Sequence, residues 1–449
     1  MIHKMKRIQP AIAALFFLAA AAGAFGAEAR LYGGDSPLEE APESAEIRDG
    51  YWESFLSAPR DKVLAFKPKV FATEAGNFQL RSIETRDFFY AVVSSAKGKD
   101  YPLYSQGTWI VKRSMKNGAF IQAKIFVRSD PGTFLRIYPA QDRSRMDVVI
   151  YGGAVNREVP IPLPFDKLLR APLSEIMRWT KGSVDWELFS PRPGLYAQLR
   201  GLSAVIRKKL PELRYAEDGG LDAGGRPIFI GSGLPQTGRA GLNCSGFAEW
   251  VADGLYRPLS GNFLDPARLK QKHIELRENG FNAAIEEKYE PYFGLDWTRN
   301  IARALADASS PSRSHGILES DVRLSPFALY GGDAEAGNGG PLYESYPAYQ
   351  EGVGYEIRGL KSILYLLAMR EPGNLYLASL NRLDKTGIRR HDHVAVLVPY
   401  FRESGEFRVD VFESASETSI GALMARAPRD FVHLVRVAAD SSFDPPPLR

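Results

Sequence analysis

Four apolar runs near the C-terminus set the tightest constraint on how this chain can fold. Gly373-Asn374 opens Leu375–Leu380; His393–Val398, Glu406–Glu413 and Phe431–Val437 follow. Arg402-Glu403-Ser404-Gly405 is a hairpin signal between the second and third runs. The second run is nearly all valine and leucine, the pattern of a strand buried on both faces. Together the runs predict an antiparallel sheet of at least four strands.

The chain has one cysteine in 449 residues, Cys244, in the stretch Gly-Leu-Asn-Cys-Ser-Gly-Phe over 241–247. After it the pattern turns helical. Phe247, Trp250 and Val251 recur at spacings of three and four, and Leu255 extends the stripe. Asn243 suits an N-cap, and Gly254 is the expected stop. Gly231, Gly233, Pro235, Gly238 and Gly241 make a glycine-rich approach. A lone cysteine is more often an inert core residue. Cys244, however, is offset from the apolar stripe and sits at the predicted first turn. There the helix dipole and unpaired N–H groups favour a thiolate, and the Cys244 N–H can face an oxyanion.

A thiolate nucleophile needs a base and a group that orients it. Of six histidines, His3 lies in the N-terminal leader, His273 and His315 lie in polar surroundings, and His433 reads as a core residue. His391 and His393 open the valine-rich strand. On the next strand Phe407, Val409, Val411 and Glu413 share a face, while Arg408 and Asp410 share the other and read as a solvated pair. A carboxylate ending an apolar row is costly without a partner, so Glu413 is preferred over Asp410 as the orienting group.

The N-terminus reads as an export signal over 1–26. Lys4, Lys6 and Arg7 precede an apolar run from Ala11 to Gly26, with small residues at the cleavage positions. The leader supplies three of the net +4 charges, leaving the remainder near +1, which gives no support for nucleic-acid binding. No later stretch is long and apolar enough to span a bilayer, so no stable membrane span is expected after cleavage. Residues 27–50 are polar with Pro37 and Pro42, and read as a linker. A β-rich N-terminal domain over 51–190 follows, marked by the hairpin signal Asn117-Gly118, the turn Asp130-Pro131-Gly132 and short β-prone runs. A small antiparallel sheet or barrel is expected there. A helix is expected near Leu168–Trp179 and another over Leu195–Lys209.

These motifs resemble a family. "NCSGF" is similar to the Asp-Cys-Ser-Gly-aliphatic motif of NlpC/P60 cysteine peptidases, "EPGNLYLASLN" resembles the strand before the family histidine, and "DHVAVLV" resembles the histidine strand. "HVAVL" and a glutamate third member also resemble the related CHAP amidases. The resemblance implies an α+β, papain-like catalytic domain over 195–440, with an insertion over about 256–365. It implies Cys244 as nucleophile, His393 as base and Glu413 as third polar residue. It further implies hydrolysis of peptide or amide bonds in bacterial cell-wall peptidoglycan through a thioester, with no metal or other cofactor. Peptidoglycan or its stem peptides would be the partner, and the compartment periplasmic or secreted. By analogy, 51–190 would be an SH3-like, wall-binding module. Asn243 stands where the family has aspartate, and Ile228 or Phe229 falls where an upstream tyrosine often stands. A non-catalytic wall module, or a thiol acyltransferase or protein-directed peptidase on the same scaffold, would fit the same residues.

Overall fold

The computed structural model describes residues 35–276, 293–324, 328–330, 343–344 and 349–448. The expected leader, residues 288–292 of the insertion and its glycine-rich stretch at 331–340 lie outside them. The chain is mixed α and β, with two compact units that each carry a large antiparallel sheet.

The first unit holds the described residues up to Pro191 and the short strands Ala328–Tyr330 and Tyr343–Glu344. Eight strands, from Lys69–Thr73 to Gly153–Ile161, pair in chain order, and the two short strands extend the sheet beyond the eighth. Asn117-Gly118 turns the hairpin between Trp109–Ser114 and Phe120–Ile125, with Gly118 at φ +71°. One face is a continuous apolar layer in which Phe78, Leu80, Phe89, Val111, Ile125 and Leu135 are fully buried. The helices Arg60–Leu64 and Phe165–Leu168 contact this sheet. The result is larger than a small sheet or barrel. Its first and eighth strands do not pair, so it is an open meander rather than an SH3-like barrel.

Two expectations for this unit change. The described part of the expected linker is packed structure: Ala45–Gly50 is a helix, and Leu38, Ile47 and Arg48 are buried. Arg48 is the anchor. It donates to the carbonyls of Leu169 and Ala171, pairs with Glu43 at 2.7 Å and lies 3.5 Å from the Trp109 ring centroid. A segment tethered by one saturated guanidinium leaves no apolar periodicity to read. The helix expected near Leu168–Trp179 is two helices, Phe165–Leu168 and Leu173–Thr180. Pro172, in an extended conformation, breaks them apart.

In the second unit the sheet has six strands. Their order across it is Tyr355–Glu356, Phe431–Ala438, Asn374–Leu383, Arg389–Phe401, Phe407–Glu413 and Ser416–Ser419. Every pairing is antiparallel. The central Arg389–Phe401 strand is buried from Val394 to Phe401, as its composition requires. The helices Cys244–Ser260 and Phe293–Ser309 contact each other and this strand. The second helix comes from the expected insertion yet contributes Leu295, Trp297 and Ile301 to the core, so the insertion is not only a cap on the cleft.

The cysteine helix runs past Gly254 to Ser260 and stops at Gly261, which takes the left-handed conformation at φ +71°. Gly254 serves packing instead of termination: a Cβ there would lie 2.5 Å from the Phe443 ring. The C-terminal segment lies along this helix, with the Trp250 indole N–H donating to Pro446 O at 2.7 Å and Asp444 N–H to Gly254 O at 2.9 Å.

Candidate active site

Cys244 is the first residue of its helix. Asn243 caps it: Oδ1 accepts the Gly246 N–H at 2.8 Å, and its carbonyl accepts the Phe247 N–H at 2.9 Å. The Asn243 N–H donates in turn to Gly219 O at 2.9 Å. Gly246 permits this close seat, because a Cβ at that position would lie 2.0 Å from the same Gly219 oxygen. Trp297 donates its indole N–H to Ser245 O at 3.0 Å. The residue after the thiol is thus held from the neighbouring helix. Of the two apolar residues expected at the tyrosine position, Ile228 is buried and Phe229 is partly buried.

Strand register delivers the other two residues. Val396 pairs with Phe412, so the next residue, Glu413, comes level with Ala395, on the same face as His393. His393 Nε2 lies 2.5 Å from Glu413 Oε1. Cys244 lies close enough to the His393 ring for each to shift the other's proton affinity. Since Nε2 is taken by Glu413, Nδ1 is the nitrogen left for the sulfur. The structure therefore brings Cys244, His393 and Glu413 together, with His393 hydrogen-bonded to Glu413.

The charges agree with that arrangement. Burial pushes the Cys244 thiol up, but the His393 hydrogen bond and charge, the Val394 backbone and Ser245 outweigh it, and the thiol sits below its ordinary value. Burial pushes His393 down, but the thiol and Glu413 raise it to about 9. Burial also raises Glu413, and the hydrogen bonds from His393 and Arg426 bring it below the usual carboxylate range. The combination favours thiolate and imidazolium over thiol and imidazole.

Arg426 carries no motif signal in the sequence. It ends the helix Ile420–Arg426, and its Nη2 lies 2.5 Å from Glu413 Oε1. His393, Glu413 and Arg426 all line a cleft of about 530 Å³, together with Arg382, Asp392 and Asp430. Cys244 is not among the residues lining it. Among the described residues no cluster of three or more His, Cys, Asp or Glu side chains is placed to hold a metal ion.

The remaining histidines have other partners. His391 is buried, with Nδ1 2.9 Å from Ser379 Oγ and Nε2 3.1 Å from Gly352 O. His433 is fully buried beside Asp321 and Tyr349. His273 meets Asn300, and His315 meets Asp307. Asp410 is not in a solvated pair with Arg408. It accepts from Ser203 and Tyr400 and pairs with Arg207 at 3.0 Å, while Arg408 pairs with Glu406. Ser203 and Arg207 come from a helix some two hundred residues upstream, and strand parity alone cannot supply them.

A family model described as a domain of unknown function (DUF8515) matches residues 37–188. The match includes none of Cys244, His393 and Glu413. No curated protein and no solved structure matches the chain. No helix among the described residues is long and apolar enough to cross a membrane.

Proposed function

We propose that the protein is an exported cysteine hydrolase of papain-like, NlpC/P60 type, cleaving peptide or amide bonds of bacterial cell-wall peptidoglycan. The observation that carries this reading is the placing of Cys244, at a helix N-terminus, beside a His393 ring that is hydrogen-bonded to Glu413. In this reading His393 takes the thiol proton and the sulfur attacks the substrate carbonyl. The Cys244 N–H faces the oxyanion. The tetrahedral intermediate collapses as His393 protonates the leaving amine, giving a thioester. His393 then removes a proton from water, the resulting hydroxide attacks the thioester, and the carboxylate product leaves as the thiolate reforms. Glu413 holds the ring orientation throughout. Asn243 serves as helix cap in the place of the family aspartate.

Digestion of purified peptidoglycan, with the released fragments separated and identified, tests the reading. Wild-type protein should release fragments with newly exposed amines, and Cys244→Ala should release none. Wild type and Cys244→Ala giving the same fragments, or no fragments from either, would remove the wall-hydrolase assignment.

A further inference from the structure

We infer that Arg426 is a positioning residue that holds Glu413 as a fixed carboxylate through the whole cycle of His393. The inference rests on the reading of Cys244, His393 and Glu413 as a working triad.

Glu413 is almost fully buried, and two donors converge on a single one of its oxygens, Oε1: His393 Nε2 and Arg426 Nη2, each at 2.5 Å. The two differ in permanence. An imidazolium that protonates a leaving group becomes neutral, and at that moment Glu413 loses one of its two cations. A buried carboxylate without a cation is costly and draws a proton from its surroundings. A guanidinium keeps its charge at every working pH. Arg426 therefore leaves Glu413 ionised and in place when His393 is neutral, and ready to draw the imidazole back for the next proton transfer.

The surrounding charges do not duplicate it. Across the cleft, Arg382 is paired with Asp392 at 2.7 Å. Arg429 lines the same cleft and makes no ion pair with Glu413. Ser416 reaches only the Glu413 backbone carbonyl. Arg426 itself arrives from a helix whose start is capped by Ser419, on the strand that pairs with the Glu413 strand. The hairpin that presents Glu413 thus leads directly into the helix that presents its arginine. Its side chain is half exposed, so replacing it empties no core.

A positive charge at Arg426 also lowers the proton affinity of everything near it, including Cys244 and His393. The single cysteine makes this measurable without a substrate. The rate of Cys244 alkylation by iodoacetamide is followed from pH 4 to 10 in wild type, Arg426→Gln and Arg426→Lys. Arg426→Gln should move the acid limb of the profile up by about half a pH unit, the order of one charge's Coulomb effect near a surface, part of it direct and part through the loosened Glu413. Arg426→Lys should keep the wild-type limb. In parallel, Arg426→Gln placed in a Glu413→Gln background should produce a smaller shift than in wild type, because the part that acts through the carboxylate is gone and only the direct effect of the charge remains; equal shifts in the two backgrounds overturn the inference. A purely structural arginine would lower the rate at all pH values alike and give equal losses with Gln and Lys. That outcome, or superposed profiles for wild type and Arg426→Gln, overturns the inference while leaving the triad standing. A wild-type profile that rises only around an ordinary thiol value overturns the triad and the inference together.

Discussion

Trp297 donates its indole N–H to the carbonyl of Ser245 at 3.0 Å, joining the helix Phe293–Ser309 to the first turn of the cysteine helix. Both residues are buried, and the bond fixes the residue immediately after the proposed nucleophile. Trp297→Phe keeps an aromatic ring but removes the donor and part of the volume. It should cost about 1–3 kcal/mol in urea denaturation. The low-pH reactivity of Cys244 should fall with it. Wild-type stability together with wild-type alkylation rates would show that the bond does not hold the site.

Glu249 and Asp253 lie one turn apart on the same helix with no exposed surface, and each has one carboxyl oxygen without a hydrogen-bond partner. Asp253 accepts the Leu264 N–H at 2.8 Å. Burial pushes Asp253 up to about 7, and burial followed by the charge of Asp253 pushes Glu249 well above the usual range. The native state therefore binds a proton at Asp253 more tightly than the unfolded chain does. The stability this group contributes is fully present below about pH 4 and is lost as pH rises through about 7. Asp253→Asn keeps an acceptor for Leu264 and removes the titration. The variant should show a flatter dependence of unfolding free energy between pH 5 and 8, gaining on the order of 2 kcal/mol over wild type at the upper end. Parallel pH curves for the two proteins would contradict this.

Ser414 and Ala415 connect Glu413 to Ser416 in a two-residue hairpin, and both take positive φ, 45° and 65°. Turns of this shape favour Asn-Gly, and a side chain in the left-handed region costs about 1–2 kcal/mol. Ala415→Gly should therefore raise stability by about 1 kcal/mol in thermal or urea unfolding. Equal or lower stability would mean that the surrounding structure already compensates for the strained backbone.

The central strands were readable because their chemistry is local. Valine-rich composition marked the buried strand, and Asn117-Gly118 marked a hairpin in the first unit. Parity placed Glu413 on the side of His393 because a period of two is rigid once a strand is identified. What stayed hidden depends on distant partners. Arg426 looks like any basic helix end, and its meaning comes from a carboxylate across a hairpin. Trp297 sits in a stretch with no motif, and Gly254 looks like a helix stop until Phe443 is seen against it. Arg48 holds down a segment that is polar enough to pass for a tether.

The strands Ala328–Tyr330 and Tyr343–Glu344 extend the first sheet beyond Gly153–Ile161, although the stretch that precedes them, from Arg192 on, belongs to the second unit. Completion of the first sheet is therefore out of step with the direction of synthesis. While the chain is being made, the Gly153–Ile161 edge waits, with unpaired backbone groups, for strands that have not yet emerged. The first unit is a discontinuous domain whose final assembly must follow the start of the second. Cutting the chain at the apparent boundary near Pro191 would leave that edge permanently open, a template for pairing with another copy.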